Sequence, residues 1–211
     1  MSSNSHKSRN EMIGFIGLGN MGLPMLKNLL KETKKKTIRT DILAYDINSA
    51  AMSEAKEAGA IPSSLEEIAE SNPKVIFTVL PNCEASSNVI SELLSGGKKS
   101  RIHDDYEGVI VDCSTVSVST SKSNHKLAKE HLYQMLDAPI SGGVKGAEAR
   151  TLTFMVGTPS LDLVSLVEPY LMSMGSTIKI CGGPNTGKLE VVLLYQIDFF
   201  LKRHIENRSC E

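Results

Sequence analysis

The sequence has no tryptophan, and only 5% of its residues are aromatic, so the apolar bulk of any core must come from its Leu, Ile and Val. Its four cysteines, Cys83, Cys113, Cys181 and Cys210, lie far apart and form no CxxC pair. That spacing gives no support to a zinc site or a disulfide framework and fits a reducing compartment. No segment reaches the ~20 apolar residues of a membrane span. The most apolar stretch, Leu189 to Leu201, is interrupted by Glu190, Gln196 and Asp198. Charge of one sign is also missing: Lys+Arg 23 and Asp+Glu 24 leave a formal net charge of -1, without the positive field that non-specific nucleic-acid binding needs. With charged residues at 22%, the composition is that of a globular chain of one sizeable domain, or of one domain and part of a second.

From Ile13 onward short apolar runs alternate with helical patterns, which predicts βαβ units feeding a parallel sheet. Strands are expected at Met12–Ile16, Ile42–Tyr45, Val75–Leu80, Val109–Asp112, Tyr133–Asp137, Thr153–Val156 and Thr177–Cys181. Leu23, Leu26, Leu29 and Leu30 share a helix face, with Pro24 in the first turn. Asn48 is placed to cap a second helix ending at Gly59, and Ser64 with Glu67 reads as a capping box for a third. Further helices are expected at Ala85–Leu94, Ser119–Leu132 and Leu161–Met172. Loops are expected at Lys34–Thr40, Ser95–Glu107, Ile140–Glu148 and Gly182–Gly187. The Ser-rich, basic first twelve residues read as an untethered tail, or as the stub of a mitochondrial presequence.

Five segments carry chemistry. Gly17-Leu18-Gly19-Asn20-Met21-Gly22 lies between the first strand and its helix. At that spacing one glycine makes a tight turn, one lets backbone approach a pyrophosphate and one lets helix and strand pack. Asp46, at the end of the second strand, is placed to accept the ribose hydroxyls of NAD. It would repel the 2′-phosphate of NADP by ~4 kcal/mol at ~4 Å and an effective dielectric near 20. The alternative is an acidic cap on the next helix, shared with Asn48. Leu80-Pro81-Asn82 makes a rigid turn, or simply a strand stop, at a strand's carboxyl end. Asp112-Cys113-Ser114-Thr115 brings hydroxyls to another strand end. Asp137 to Ala147 includes Ser141-Gly142-Gly143, whose hydroxyl and unshielded N–H groups form a small nest for a carboxylate, or only a turn.

In this order and at these separations GFIGLGNMGLPM, the LP turn, DCST, DAPISGGVKGA and LTFMVG resemble the 3-hydroxyisobutyrate dehydrogenase group of the β-hydroxyacid dehydrogenases. The resemblance runs from Ile13 to about Gly187. It implies an α/β, Rossmann-like doubly wound sheet that binds NAD over residues 13–187, followed by an all-helical domain. It also implies oxidation of a small 3-hydroxy acid in valine breakdown, with a mitochondrial location, the cytoplasm being the alternative. By position, Gly17, Leu18, Gly19, Asn20, Met21, Gly22 and Asp46 match the dinucleotide segment. Leu80, Pro81 and Thr115 match later cofactor contacts, and Ser141, Gly142 and Gly143 match the grip on the substrate carboxylate. Ala85 stands where the family often has Asn.

The family's helix after the last Gly-rich turn reads like KxxNN, its lysine being the general acid/base. Here that position is Val191, and no Asn pair follows. Lys188 is the candidate substitute, yet three residues earlier on a helix it lies ~4.5 Å back along the axis and on a neighbouring face. A surface or helix-start lysine is the simpler expectation. Residues 188–211 read as a divergent apolar helix in place of the helical domain, as in a truncated or altered end. Ten of the thirteen residues Leu189–Leu201 are apolar, so the tail is expected to bury itself in a partner surface such as a second copy, giving a homo-oligomer.

Three functions follow as expectations. The first is NAD-dependent oxidation of 3-hydroxyisobutyrate to methylmalonate semialdehyde. The second is a non-catalytic NAD-binding or dimerisation module. The third is a related glyoxylate, tartronate semialdehyde or succinic semialdehyde reductase.

Overall fold

The structure is a computed structural model that describes residues 11–35, 40–96 and 108–188. The chain alternates β1 (Glu11–Ile16), α1 (Gly22–Thr33), β2 (Thr40–Tyr45), α2 (Ser49–Ala58), β3 (Ile61–Pro62), α3 (Leu65–Ser71), β4 (Val75–Thr78), α4 (Cys83–Gly96), β5 (Gly108–Asp112), α5 (Val118–Glu130) and β6 (Tyr133–Asp137). It continues through β7 (Ile140–Ser141), α6 (Gly143–Ala149), β8 (Leu152–Gly157), α7 (Leu161–Met174) and β9 (Gly175–Gly182). Local chemistry sets the boundaries. The Asn48 side chain accepts from the N–H groups of Ala50 and Ala51, and Gly59 closes α2 in the left-handed region at φ 109°. Ser64 and Glu67 form the reciprocal capping box that starts α3.

The strands form one sheet in the order β3-β2-β1-β4-β5-β6-β8-β7, with β9 on β8. The first six are parallel in the Rossmann order, and the winding reverses between β1 and β4. Alternation along each strand feeds two cores. Ile13, Phe15, Phe77, Val111 and Leu136 pack with Met25, Leu26 and Leu29 of α1 on one face. Ile76, Ile110 and Met135 pack with Ile68, Ile90 and Leu93 on the other.

Two sequence expectations need correction. The sheet is not parallel throughout, because β8 runs antiparallel to β6 and β7. The segment Ile140–Glu148, expected as a loop, contains β7 and α6. Both elements are too short to carry a period, at 2 and 7 residues, and two glycines dilute α6. The pairs Asp137↔Gly157, Ile140↔Phe154 and Ser141↔Thr153 share a single antiparallel register, so β6 and β7 are one line of chain along the same edge of β8. The line is broken at Pro139, whose carbonyl still accepts from the Met155 N–H at 3.0 Å.

Asp112 and Asp137 are register partners at the carboxyl ends of β5 and β6, and both are fully buried. The Asp137 carboxylate accepts from the N–H groups of Asn185 (2.6 Å) and Lys188 (3.1 Å), which ties down the turn after β9. A Cβ on Gly157 would stand 2.7 Å from this carboxylate and 2.8 Å from the Gly187 nitrogen, so glycine is required there. Burial pushes the Asp137 pKa up, against the opposing pull of those N–H groups and of the Lys188 ammonium. His125, on α5, has Nε2 3.7 Å from Asp137 Oδ1. Burial and the same ammonium push the imidazole pKa down to about 4, so near neutral pH this contact joins a neutral ring to a carboxyl group and is no ion pair.

Two outcomes are expected. Gly157→Ala should cost about 2–3 kcal/mol in urea unfolding, because backbone and a buried carboxylate both resist the added methyl. An unfolded histidine takes up its proton near pH ~6.5, well before the folded one does, so stability should fall as pH drops from there toward 4. His125 should account for up to ~2 kcal/mol of the loss between pH 7 and pH 5. Asp137, raised in the folded state, acts in the opposite sense just above the ordinary carboxylate range. Unfolding at the two pH values checks this, with His125→Gln expected to lose less than the parent chain.

Candidate functional site

The three glycines of the first turn do different things. Gly17, at φ 95°, lies so close to β4 that a Cβ would sit 2.2 Å from the Val79 carbonyl oxygen, and its N–H donates to Tyr45 O at 2.9 Å. A Cβ on Gly22 would meet the Gly17 carbonyl oxygen at 1.9 Å. Around Gly19 a Cβ would meet nothing within 4 Å, so its backbone opens onto free space. Behind it α1 starts with no side-chain cap and no acid in its first turn. The unspent N–H groups and positive end of that helix suit a diphosphate.

A crevice of about 500 Å³ runs along this turn, bordered by Gly17, Gly19, Asn20, Met21, Gly22 and Asp46. Leu18 is buried and instead supplies its N–H to Asp46 Oδ2 at 2.5 Å. Asp46 Oδ1 accepts from the Asn48 N–H at 2.7 Å, while the Asn48 side chain alone caps α2. Of the carboxylate's roughly four lone-pair sites, two are thus used to orient it and the others remain for hydroxyl donors. Sequence reasoning overlooked the apolar end of the crevice, formed by Tyr45, Ile47 and Val89 together with Ala85. Ile47 is 92% exposed at its lip. An exposed isoleucine beside an acid was the available signal.

A second hollow, of about 290 Å³, adjoins the first and shares Met21, Val79, Leu80 and Pro81 with it. Thr115, Ser141, Gly142 and Gly143 border it. Gly142 and Gly143 have φ 132° and 63°, and beyond Gly143 a Cβ would meet nothing within 4 Å. The Asn28 amide on α1 donates to the Ala147 carbonyl at 2.7 Å, which fixes α6 and its leading turn against the helix that follows the first glycine turn. Ser114, buried behind Thr115, accepts through Oγ from the Leu80 N–H at 2.9 Å and so sets the Leu80-Pro81 turn.

Lys188 is not the surface lysine expected from its position. It stands where the backbone turns helical at 186–188, yet its side chain is only 1% exposed. Nζ donates to Asp112 Oδ2 (3.1 Å), Asp112 O (3.1 Å) and Ser114 O (2.5 Å), which uses all three ammonium donors. The burial of Asp112 forces this: a carboxylate fully out of water needs a counter-charge. No lysine among the described residues borders either hollow. Val191 lies outside the described residues.

Known proteins resemble this chain in sequence and in fold. Residues 12–183 match the family described as the NAD binding domain of 6-phosphogluconate dehydrogenase. Mitochondrial 3-hydroxyisobutyrate dehydrogenase of Mus musculus is 37% identical over 177 residues, covering 83% of this chain and 49% of that protein. The 2-(hydroxymethyl)glutarate dehydrogenase of Eubacterium barkeri is 38% identical over 178 residues, covering 83% of this chain and 54% of its own length. A solved structure of Mycobacterium tuberculosis 3-hydroxyisobutyrate dehydrogenase with L-serine superposes with a TM-score of 0.75 at 32% identity, covering 89% of this chain and 60% of that one. The chain spans about half the length of the curated relatives it matches. It belongs to the family of the NAD-binding domain of 6-phosphogluconate dehydrogenase, and within that family it is similar to the 3-hydroxyisobutyrate dehydrogenases.

Proposed function

We propose that this chain is the NAD-binding part of an NAD-dependent 3-hydroxyisobutyrate dehydrogenase, the reaction being oxidation of the alcohol to methylmalonate semialdehyde. The observation that carries this reading is the junction of the two hollows at Met21, Val79, Leu80 and Pro81. Asp46 borders one hollow, and the Ser141-Gly142-Gly143 turn borders the other. Asp46 would hold the adenosine ribose, the backbone of Gly17 to Gly22 the diphosphate, and Leu80, Pro81 and Thr115 the nicotinamide side. Bound NAD would supply the hydride acceptor. Ser141 with the N–H groups of Gly142 and Gly143 would hold the substrate carboxylate, fixing the carbinol carbon at the shared rim.

The alcohol's proton needs a base as hydride leaves. Lys188 has no N–H to spare and Val191 has no titratable group. That favours the second reading, in which these 211 residues bind NAD without turning over. The third reading, a semialdehyde reductase preferring NADP, is opposed by Asp46. The resemblance to 2-(hydroxymethyl)glutarate dehydrogenase fits a substrate choice made largely outside this half. The mitochondrial names of several relatives support a mitochondrial location, although mycobacterial relatives bear the same enzyme name. The apolar sequence of residues 189–201 supports self-association.

Titration of the purified chain is expected to give tighter binding of NAD than of NADP. Asp46→Asn keeps the side chain's shape and should weaken NAD roughly tenfold or more, as expected for the loss of a charged hydrogen bond at ~1.5–3 kcal/mol. The same change should narrow the gap to NADP; a preference left unaltered would remove Asp46 from the site. Incubated with 3-hydroxyisobutyrate and NAD, the chain is expected to yield no NADH absorbance. Turnover at the rate of an ordinary dehydrogenase would overturn the non-catalytic reading.

A further inference from the structure

We propose that Lys188 is a positioning residue for the nicotinamide end of the crevice, acting through the 112–114 turn on the Leu80-Pro81 turn; this rests on the reading that the crevice binds NAD. The ends of β4 and β5 and the helical turn at 186–188 meet at Asp112. Its Oδ1 accepts from Thr78 Oγ1 at 2.9 Å and from the Ser114 N–H at 3.0 Å, and its Oδ2 accepts from Lys188 Nζ. The same ammonium takes the carbonyls of Asp112 and Ser114. Ser114 then turns its hydroxyl to the Leu80 N–H. A path of hydrogen bonds therefore runs from Lys188 through Ser114 to the turn that both hollows share. At the other end the backbone of Lys188 is moored to Asp137, whose strand leads directly into Ser141.

The ammonium spends two of its three donors on main-chain carbonyls, which a counter-ion for Asp112 would not require. Those two bonds fix the course of the backbone just before Thr115, which borders the hollow together with Cys113 and Ser114 and is the exposed residue of the three. The hydrogen bonds of the path include neither Asp46 nor the Gly17–Gly22 turn at the adenosine end, which the path meets only where the Leu80 side chain packs beside Gly17. Lys188 is therefore expected to act on one half of the dinucleotide only.

The test compares NAD with ADP-ribose, which has every part of NAD except the nicotinamide, by calorimetric titration of the whole chain. The variant is Lys188→Met combined with Asp112→Asn. Removing both charges together leaves no buried carboxylate without a partner. The double variant is expected to keep its affinity for ADP-ribose within about twofold and to bind NAD about tenfold more weakly, a loss comparable to that of one or two well-placed hydrogen bonds. If the double variant binds both ligands as the parent does, Lys188 merely neutralises Asp112 and the proposal is wrong. If both affinities fall together, the effect is general loosening and the proposal is equally wrong. Should the double variant fail to fold, Ser114→Ala cuts the path while leaving the ion pair intact, and it must give the same split between the two ligands. A parent chain that binds neither ligand would remove the NAD reading itself, and this proposal with it.

Discussion

Strand order reverses between β1 and β4, and that single topological constraint makes the rest of the molecule possible. Crossovers leave the sheet in opposite directions on either side of the reversal, so the carboxyl ends of β1 and β4 have no helix lying across them. The gap can exist only if the chain leaving β1 stays close to β4. Gly17 and Gly22 allow this, because a single methyl at either would collide with main-chain oxygen. Gly19 differs from both in facing open space. Two glycines close the turn and one exposes its backbone to a ligand.

Around that gap the functional groups are held by bonds between segments far apart in the sequence. Asp46 is aimed by the N–H of Leu18, 28 residues away. The Ser141-Gly143 turn is set by the antiparallel line of β6 and β7 along β8 and by the Asn28 amide on α6. Asp112, Asp137 and Lys188 lock the ends of β5 and β6 to the turn that follows β9. Placing two carboxylates in the interior is costly, and the structure offsets it with N–H donors and one ammonium. The neutral imidazole of His125 beside Asp137 makes the arrangement sensitive to acid.

Much of this was legible in the sequence because its signals are local. Asn48, Gly59, Ser64 and Glu67 act within three or four residues of where they stand, and they delimit α2 and α3 as their types predict. The glycine turn was readable for the same reason, whereas Asp46 was singled out by its place at a strand end and the N–H that aims it comes from 28 residues away. The antiparallel turn of β8 was not, since strand direction leaves no imprint on a run of six apolar-rich residues. Nor was α6, too short to show a period. Lys188 was misjudged for a different reason. Its partner Asp112 lies 76 residues away, and pattern alone cannot tell a lysine at a helix start that points outward from one that points in. The strand-end burial of Asp112 was the clue that a cation had to be found.

The central claim is that a dinucleotide lies along the Gly17–Gly22 turn with its adenosine ribose on Asp46. A crystal structure of the chain grown with saturating NAD tests it most directly. The account predicts ribose hydroxyls within hydrogen-bond distance of the Asp46 carboxylate and the diphosphate against the backbone of Gly19 to Gly22. A crevice that stays empty at saturating NAD, or a dinucleotide bound elsewhere on the sheet, would contradict it.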